Sequence, residues 1–175
     1  SMPKNQQAEL KDVGGFVGGT FTNDRRKNGY VKGRDILTLD MDNIPAGGTE
    51  EILRRVNGLG CAAVVYSTRK HTGYAPRLRV LVPLDRTATA DEYEPAARKI
   101  ASLIGIEYCD PTTFDVCRLM YWPSCCADGE YVYEVYDKAF CSLDSILGMY
   151  QDWKNVAEWP QVPGTDAIER RRLAK

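Results

Sequence analysis

The chain holds a single histidine, His71, in 175 residues. That scarcity excludes sites built from paired metal-binding histidines, such as those of rolling-circle endonucleases. Six cysteines occur, but no Cys-x-x-Cys pair. A structural zinc drawn from Cys117, Cys125, Cys126 and Cys141 would need irregular spacing. Reduced, intracellular thiols are therefore the expectation. No apolar run is long enough to cross a membrane, and no signal-peptide pattern is present. Nor is there a large charge of one sign. The net charge of -1 gives no global field that would advertise a polyanionic partner.

What remains suffices for one compact domain, since 43% of the residues are hydrophobic. The basic residues are also clustered despite the balanced sum. Arg25, Arg26, Lys27, Lys32 and Arg34 form one group, and Arg69, Lys70, Arg77 and Arg79 another. Local patches of this kind are what bind polyanions, although exposed cations are common on any soluble protein.

Residues 1–12 are polar and read as a loose N-terminus, with Ser1-Met2 as a cloning remnant. A glycine-punctuated segment, Gly14 to Gly19, reads as a hairpin or loop. Thr49 is placed to cap a helix that ends at Gly58 or Gly60. Cys61–Thr68 and Leu78–Leu84 read as strands, joined by a turn around Gly73 and Pro76. Thr89-Ala-Asp-Glu92 is a capping box for a helix running to about Ile104, with Gly105 as its stop. Arg118–Trp122 and Tyr131–Tyr136 read as strands, and Ser142 to about Trp153 as a helix capped by Ser142 or Asp144. After Trp153 come Pro160, Pro163, Gly164 and the Arg170-Arg171-Arg172 run. Residues 154–175 read as a docked extension or as a linker. The alternation predicts an α+β fold on a mostly antiparallel sheet, similar to the split βαββαβ arrangement of palm and RNA-recognition folds.

The segment Asp35 to Asn43 carries the strongest chemical signal. Ile36–Met41 suits a buried strand. Strand residues i and i+2 share a face, so Asp40 and Asp42 project side by side. Adjacent carboxylates repel unless a cation lies between them. Hard oxygen ligands point to Mg²⁺ or Mn²⁺. A solvated polar turn is the plain alternative. His71 leaves an apolar strand into a turn with Lys70, Arg77 and Arg79, which suit phosphate oxygens. Arg77 and Arg79 form a second i, i+2 pair on one face. Asp110 and Asp115 each read either as a third carboxylate or as a turn residue. Arg118, among large apolar residues, needs an acid or a phosphate as partner.

In this order the three stretches resemble the archaeo-eukaryotic primase superfamily, or primase-polymerases. More narrowly they resemble the primase domains of phage, prophage and plasmid replication proteins. The matching residues are Leu37–Asp42, His71 with Pro76–Arg79, and Asp110–Tyr121, which includes Arg118-Leu-Met-Tyr121. Arg69 departs from the small residue usual two positions before the histidine. The resemblance implies a primase-like catalytic domain over about residues 13–153. It implies that Asp40, Asp42 and Asp110 bind two divalent metals, Mg²⁺ or Mn²⁺. His71, Arg79 and Arg118, with Lys70 or Arg77, would hold the phosphates of a nucleoside triphosphate. The implied reaction is nucleotidyl transfer on a single-stranded DNA template, in the cytoplasm of a bacterial or phage-infected cell. A helicase domain beyond Lys175, or replisome proteins, would be the partners. Two other readings stand beside it. One is a haloacid-dehalogenase-like phosphatase using Asp40 and Asp42, although no late acidic pair completes its motif. The other is an inactive palm that only binds nucleic acid.

Overall fold

The computed structural model describes residues 14–165. The expected loose N-terminus, residues 1–12, and the Arg170–Arg172 run lie outside the described residues. Seven strands and three α-helices follow in chain order among the described residues. They are β1 (Gly15–Phe16), β2 (Gly19–Phe21), β3 (Val31–Met41), α1 (Thr49–Asn57), β4 (Ala63–Ser67), β5 (Leu78–Ala88), α2 (Ala90–Ile104), β6 (Met120–Tyr121), β7 (Tyr133–Tyr136) and α3 (Leu143–Leu147). Five strands form one sheet in the order β2-β3-β5-β4-β7, antiparallel throughout. β1 and β6 form a separate antiparallel ribbon. The fold is thus α+β on an antiparallel sheet, as the sequence pattern predicts. One placement differs from a split βαββαβ sheet. The last strand, β7, lies beside β4, while β2 takes the position next to β3.

Period-two alternation decides which face is buried. Leu37, Leu39 and Met41 of β3 face the core with Leu78, Val80 and Val82 of β5 and Val65 of β4. Ile52 and Val56 of α1 and Tyr93, Ala97, Ile100 and Ile104 of α2 complete that core. The helix α2 begins with the predicted capping box and stops at Gly105, whose φ of 128° disfavours any side chain. Gly19 lies against the carbonyl oxygen of Gly33, a gap that a Cβ would close. This close approach explains the glycine-rich entry to the sheet.

Three local expectations change. Thr49 is the first residue of α1, not its cap. Gly48 occupies the cap position after a turn at Gly47 with φ of 74°, and makes no side-chain cap. The last helix is short. Ser142 caps it by accepting from Ser145 N–H, and it ends at Gly148, while Asp144 pairs with Arg86 instead. Of Arg118–Trp122, only Met120 and Tyr121 form strand pairs, because their partner is a two-residue strand. Residues 154–165 lie against the body. Pro160 accepts from Arg98 Nη1 at 3.0 Å, and Val162 joins the core.

The outer edge of β3 positions the candidate site. β2 covers only its first half, with Arg34 the last paired residue on that side. Beyond it, side chains and a returning segment take over the backbone groups. Thr38 N–H donates to Tyr93 Oη at 3.3 Å, and Asp40 N–H to Thr113 Oγ1 at 2.8 Å. Asp110 N–H donates to the Asp40 carbonyl at 2.9 Å, and Met41 bridges Cys109. Residues 108–113 therefore run along the strand edge that ends in the two aspartates.

Candidate metal centre and cation cleft

Asp40 is the penultimate residue of β3, and Asp42 follows the strand end on the same face. Asp110 arrives along the β3 edge, as the cap of the 3-10 turn Pro111–Phe114. Each of the three offers a carboxylate oxygen within 4.8 Å of the other two. This is the only group of potential metal ligands of that kind among the described residues. Asp115 closes the turn and is not part of this group. The cysteines form no such cluster. Burial pushes the Cys109 thiol up to about 12, with the Asp40 charge adding to the shift, which disfavours the thiolate.

One arginine faces each acid. Arg79 is the register partner of Asp40 on β5, and its Nε stands 3.4 Å from Asp40 Oδ1. Arg77 Nη1 lies 3.2 Å from Asp42 Oδ2. Arg118 Nη2 lies 3.0 Å from Asp110 Oδ2 and 3.5 Å from Asp40 Oδ2. Arg118 thus has the acid partner that its apolar neighbours demand. Asp40 is deep, with its side chain only 6% exposed. Burial, followed by the Asp40 charge, raises the Asp42 carboxyl above its usual range, and Arg77 only partly opposes this.

These groups line a cleft of about 1000 Å³ together with Arg26, Arg69, Lys70, Tyr121 and Trp122. Arg26, Arg69 and Lys70 have no ion-pair partner among the described residues, so six cations stand over three carboxylates. Four buried side-chain atoms of the described residues lack any hydrogen bond. They are Asp40 Oδ1, Arg69 Nε, Arg79 Nε and Arg118 Nε, of which Asp40 Oδ1 and Arg79 Nε stand 3.4 Å apart as an ion pair without hydrogen-bond geometry. All four residues line this cleft. Buried polar groups are normally paired, so such a concentration of unmet atoms marks a place for charged ligands. An unmet buried carboxylate oxygen beside two further carboxylates fits a hard divalent cation. The unmet guanidinium donors fit phosphate oxygens.

The structure brings Asp40, Asp42, Asp110, Lys70, Arg77, Arg79 and Arg118 to one cleft. His71 is placed differently. It is buried, 3% exposed, and is not among the lining residues. Its Nδ1 accepts from Arg77 N–H at 3.1 Å. Arg26 and Arg69 belong to the two basic clusters of the sequence but not to its phosphate-binding candidates, and Trp122 belongs to neither. Arg69 had a signal, as the cation at a position where the resembled motif is small. Trp122 had one too, as a large aromatic next to the Arg118–Tyr121 motif.

Comparison with known proteins points one way. The profile of the VapE N-terminal domain matches residues 1–162. Among solved structures, the fold is similar to the AEP domain of the cyanophage S-2L primase-polymerase. The TM-score is 0.53 at 11% identity, covering 84% of this chain and 76% of that one. At that identity the likeness is one of fold. No curated protein matches the chain. No helix among the described residues is long and apolar enough to cross a membrane.

Proposed function

The chain belongs to the VapE N-terminal domain family, and on that premise we propose that it is a metal-dependent primase-polymerase domain. Its reaction is template-directed nucleotidyl transfer on single-stranded DNA, serving the replication of a phage or mobile element. The observation that carries this reading is the coincidence of three carboxylates with every unmet buried polar side-chain atom of the described residues in one cation-rich cleft. The fold likeness to a primase-polymerase domain supports it.

Asp40, Asp42 and Asp110 would hold two divalent ions, Mg²⁺ or Mn²⁺. Bound there, such ions supply a lowered pKa for an attacking hydroxyl and neutralise phosphate charge. The protein's own part is positioning. Arg79 and Arg118 line the cleft with Nε atoms that make no hydrogen bond, and Lys70 and Arg69 add charge without a carboxylate to neutralise it. These donors bind and orient the triphosphate of a nucleotide, so that its α-phosphate faces the attacking oxygen in line. His71 acts from behind the wall. Because Nδ1 accepts from Arg77 N–H, a neutral ring carries its proton on Nε2. Through Nδ1 it also fixes the turn that holds Arg77 at Asp42. Nucleoside triphosphates and single-stranded template are the substrates in this reading. A helicase domain or replisome proteins are its partners, in the bacterial or phage-infected cytoplasm.

The test is primer synthesis on single-stranded template with ribo- or deoxynucleotides and Mg²⁺ or Mn²⁺, run beside hydrolysis of a generic phosphomonoester. Metal-dependent incorporation without hydrolysis is expected. Hydrolysis without incorporation would instead select the phosphatase reading. DNA binding with neither activity would select the inactive palm.

A further inference from the structure

The sheet face that carries Asp40 continues beyond the cleft. Strand register defines a row across it, from Asp40 to Arg79, Tyr66 and Tyr133. A second row runs parallel, one residue pair further toward the strand ends. Asp42 pairs with Arg77 as an ion pair, and Thr68 N–H donates to the Arg77 carbonyl at 3.0 Å. Ser67 N–H donates to the Val132 carbonyl at 2.9 Å, which sets Thr68 opposite Tyr131. Both rows start at an acid of the candidate metal centre; one ends at Tyr133, the first residue of β7, and the other at Tyr131, two residues before it.

The two tyrosines differ from the rest of their rows. Asp40, Arg79 and Tyr66 are buried, whereas Tyr131 and Tyr133 are 51% and 53% exposed. Their rings are stacked, with centroids 6.3 Å apart and planes within 7°. A pair of large aromatics held parallel and open to solvent fits a flat aromatic ligand. Thr68 lines the cleft next to the tyrosine edge, and Arg69 and Lys70 follow it with no acid to neutralise them. The surface between carboxylates and tyrosines therefore offers positive charge for a backbone and ring faces for bases. Three strand spacings separate Tyr133 from Asp40, about 14 Å. At a stacked rise of about 3.4 Å that is the length of roughly four nucleotides.

We propose that Tyr131 and Tyr133 form a base-stacking platform for single-stranded DNA, and that Arg69 and Lys70 lead the backbone from it into the cleft. This rests on the primase-polymerase reading for the identity of the strand as template. It does not rest on that reading for binding itself. Stacking is indifferent to base identity, so the platform would hold any sequence that passes.

The test is binding of a short fluorescent oligothymidylate by anisotropy, without nucleotide or metal, to the 175-residue chain. The double variant Tyr131→Ala/Tyr133→Ala is expected to bind about ten- to a hundredfold more weakly. The double variant Tyr131→Trp/Tyr133→Trp should bind like the parent. The salt dependence should keep its slope in all three, because no phosphate contact is lost. An oligonucleotide of abasic sugars should bind the parent no better than oligothymidylate binds the alanine variant. Equal binding by parent and alanine variant overturns the platform, as does a parent that binds abasic and thymidylate strands alike or binds neither. Normal DNA binding by an alanine variant that has lost self-association would reassign the pair to a protein interface. The wider reading fails separately. A parent that binds oligothymidylate in this stacking-dependent way but synthesises no primer with either metal refutes the polymerase and keeps the platform.

Discussion

Arg34 and Arg79 both carry a guanidinium into the interior, on the neighbouring strands β3 and β5, but their surroundings are opposite. Arg34 is saturated. Its Nε donates to the Gly18 carbonyl at 3.0 Å, Nη1 to Val116 at 2.6 Å, and Nη2 to Ile36 at 3.1 Å and to Thr38 Oγ1 at 3.2 Å. The Tyr93 ring covers it at 4.0 Å. Arg79 has one good bond, from Nη1 to the Tyr121 carbonyl at 3.0 Å, and a long one of 3.5 Å to Asp40. Its Nε, 3.4 Å from Asp40 Oδ1, makes no hydrogen bond, and neither do those of Arg69 and Arg118. A saturated cation ties segments together, and an unsaturated one waits for a ligand. Burial and residue type alone do not separate the two, whereas the count of satisfied donors does.

That contrast can be broken most severely at the acids. Asp42→Ala should reduce metal-dependent primer synthesis by more than about a hundredfold, beyond the usual cost of losing an outer-shell partner of a metal. An unchanged extension rate would remove the metal site. On the structural side, Arg34→Met strands three carbonyls and should cost about 3 kcal/mol, read as a lower urea midpoint. Arg118→Met should leave that midpoint nearly unchanged and act on nucleotide KM instead. If the two variants behave alike, the distinction fails.

Ligand addition gives the next effect. Mn²⁺ at about a hundredfold its dissociation constant should stabilise the parent by about 2.7 kcal/mol, seen as a higher Tm, and should leave Asp42→Ala unshifted. His71→Ala should raise nucleotide KM several-fold while template binding holds; equal nucleotide affinity in both proteins would end that role. The smallest effect concerns charge crowding. The folded carboxyl of Asp42 titrates above its ordinary value, so its ionised form is disfavoured by folding. Metal-free Asp42→Asn should therefore be more stable than the parent at neutral pH. The difference should shrink as pH falls through the folded pKa, and vanish near the unfolded value of about 3.9. A gain that persists in acid would point to a cause other than charge.

Local pattern made much of this legible. The alternation of Leu37, Leu39 and Met41 against Asp40 fixed both the strand and the face on which the acids stand. Thr89 and Glu92 marked the start of α2 because a capping box is complete within four residues. Arg118 demanded a partner by its setting alone. Less legible were features that depend on a distant neighbour. Met120 and Tyr121 are β-prone, but they pair only because Gly15 and Phe16 lie opposite. The placement of β7 beside β4, and hence of two tyrosines on the acid-bearing face, has no local signature.

The sequence by itself determined that Asp40 and Asp42 share a face, since a period of two needs nothing beyond the strand. It also determined which cations stand near them in the chain. Only the tertiary structure decided that Asp110, and not Asp115, completes the cluster. That choice rests on the free outer edge of β3. There Thr113 Oγ1 and Asp110 N–H meet the backbone of Asp40 at 2.8 and 2.9 Å, across some seventy residues of chain. An unpaired strand edge must find hydrogen-bond partners, and which segment supplies them is settled by packing rather than by pattern.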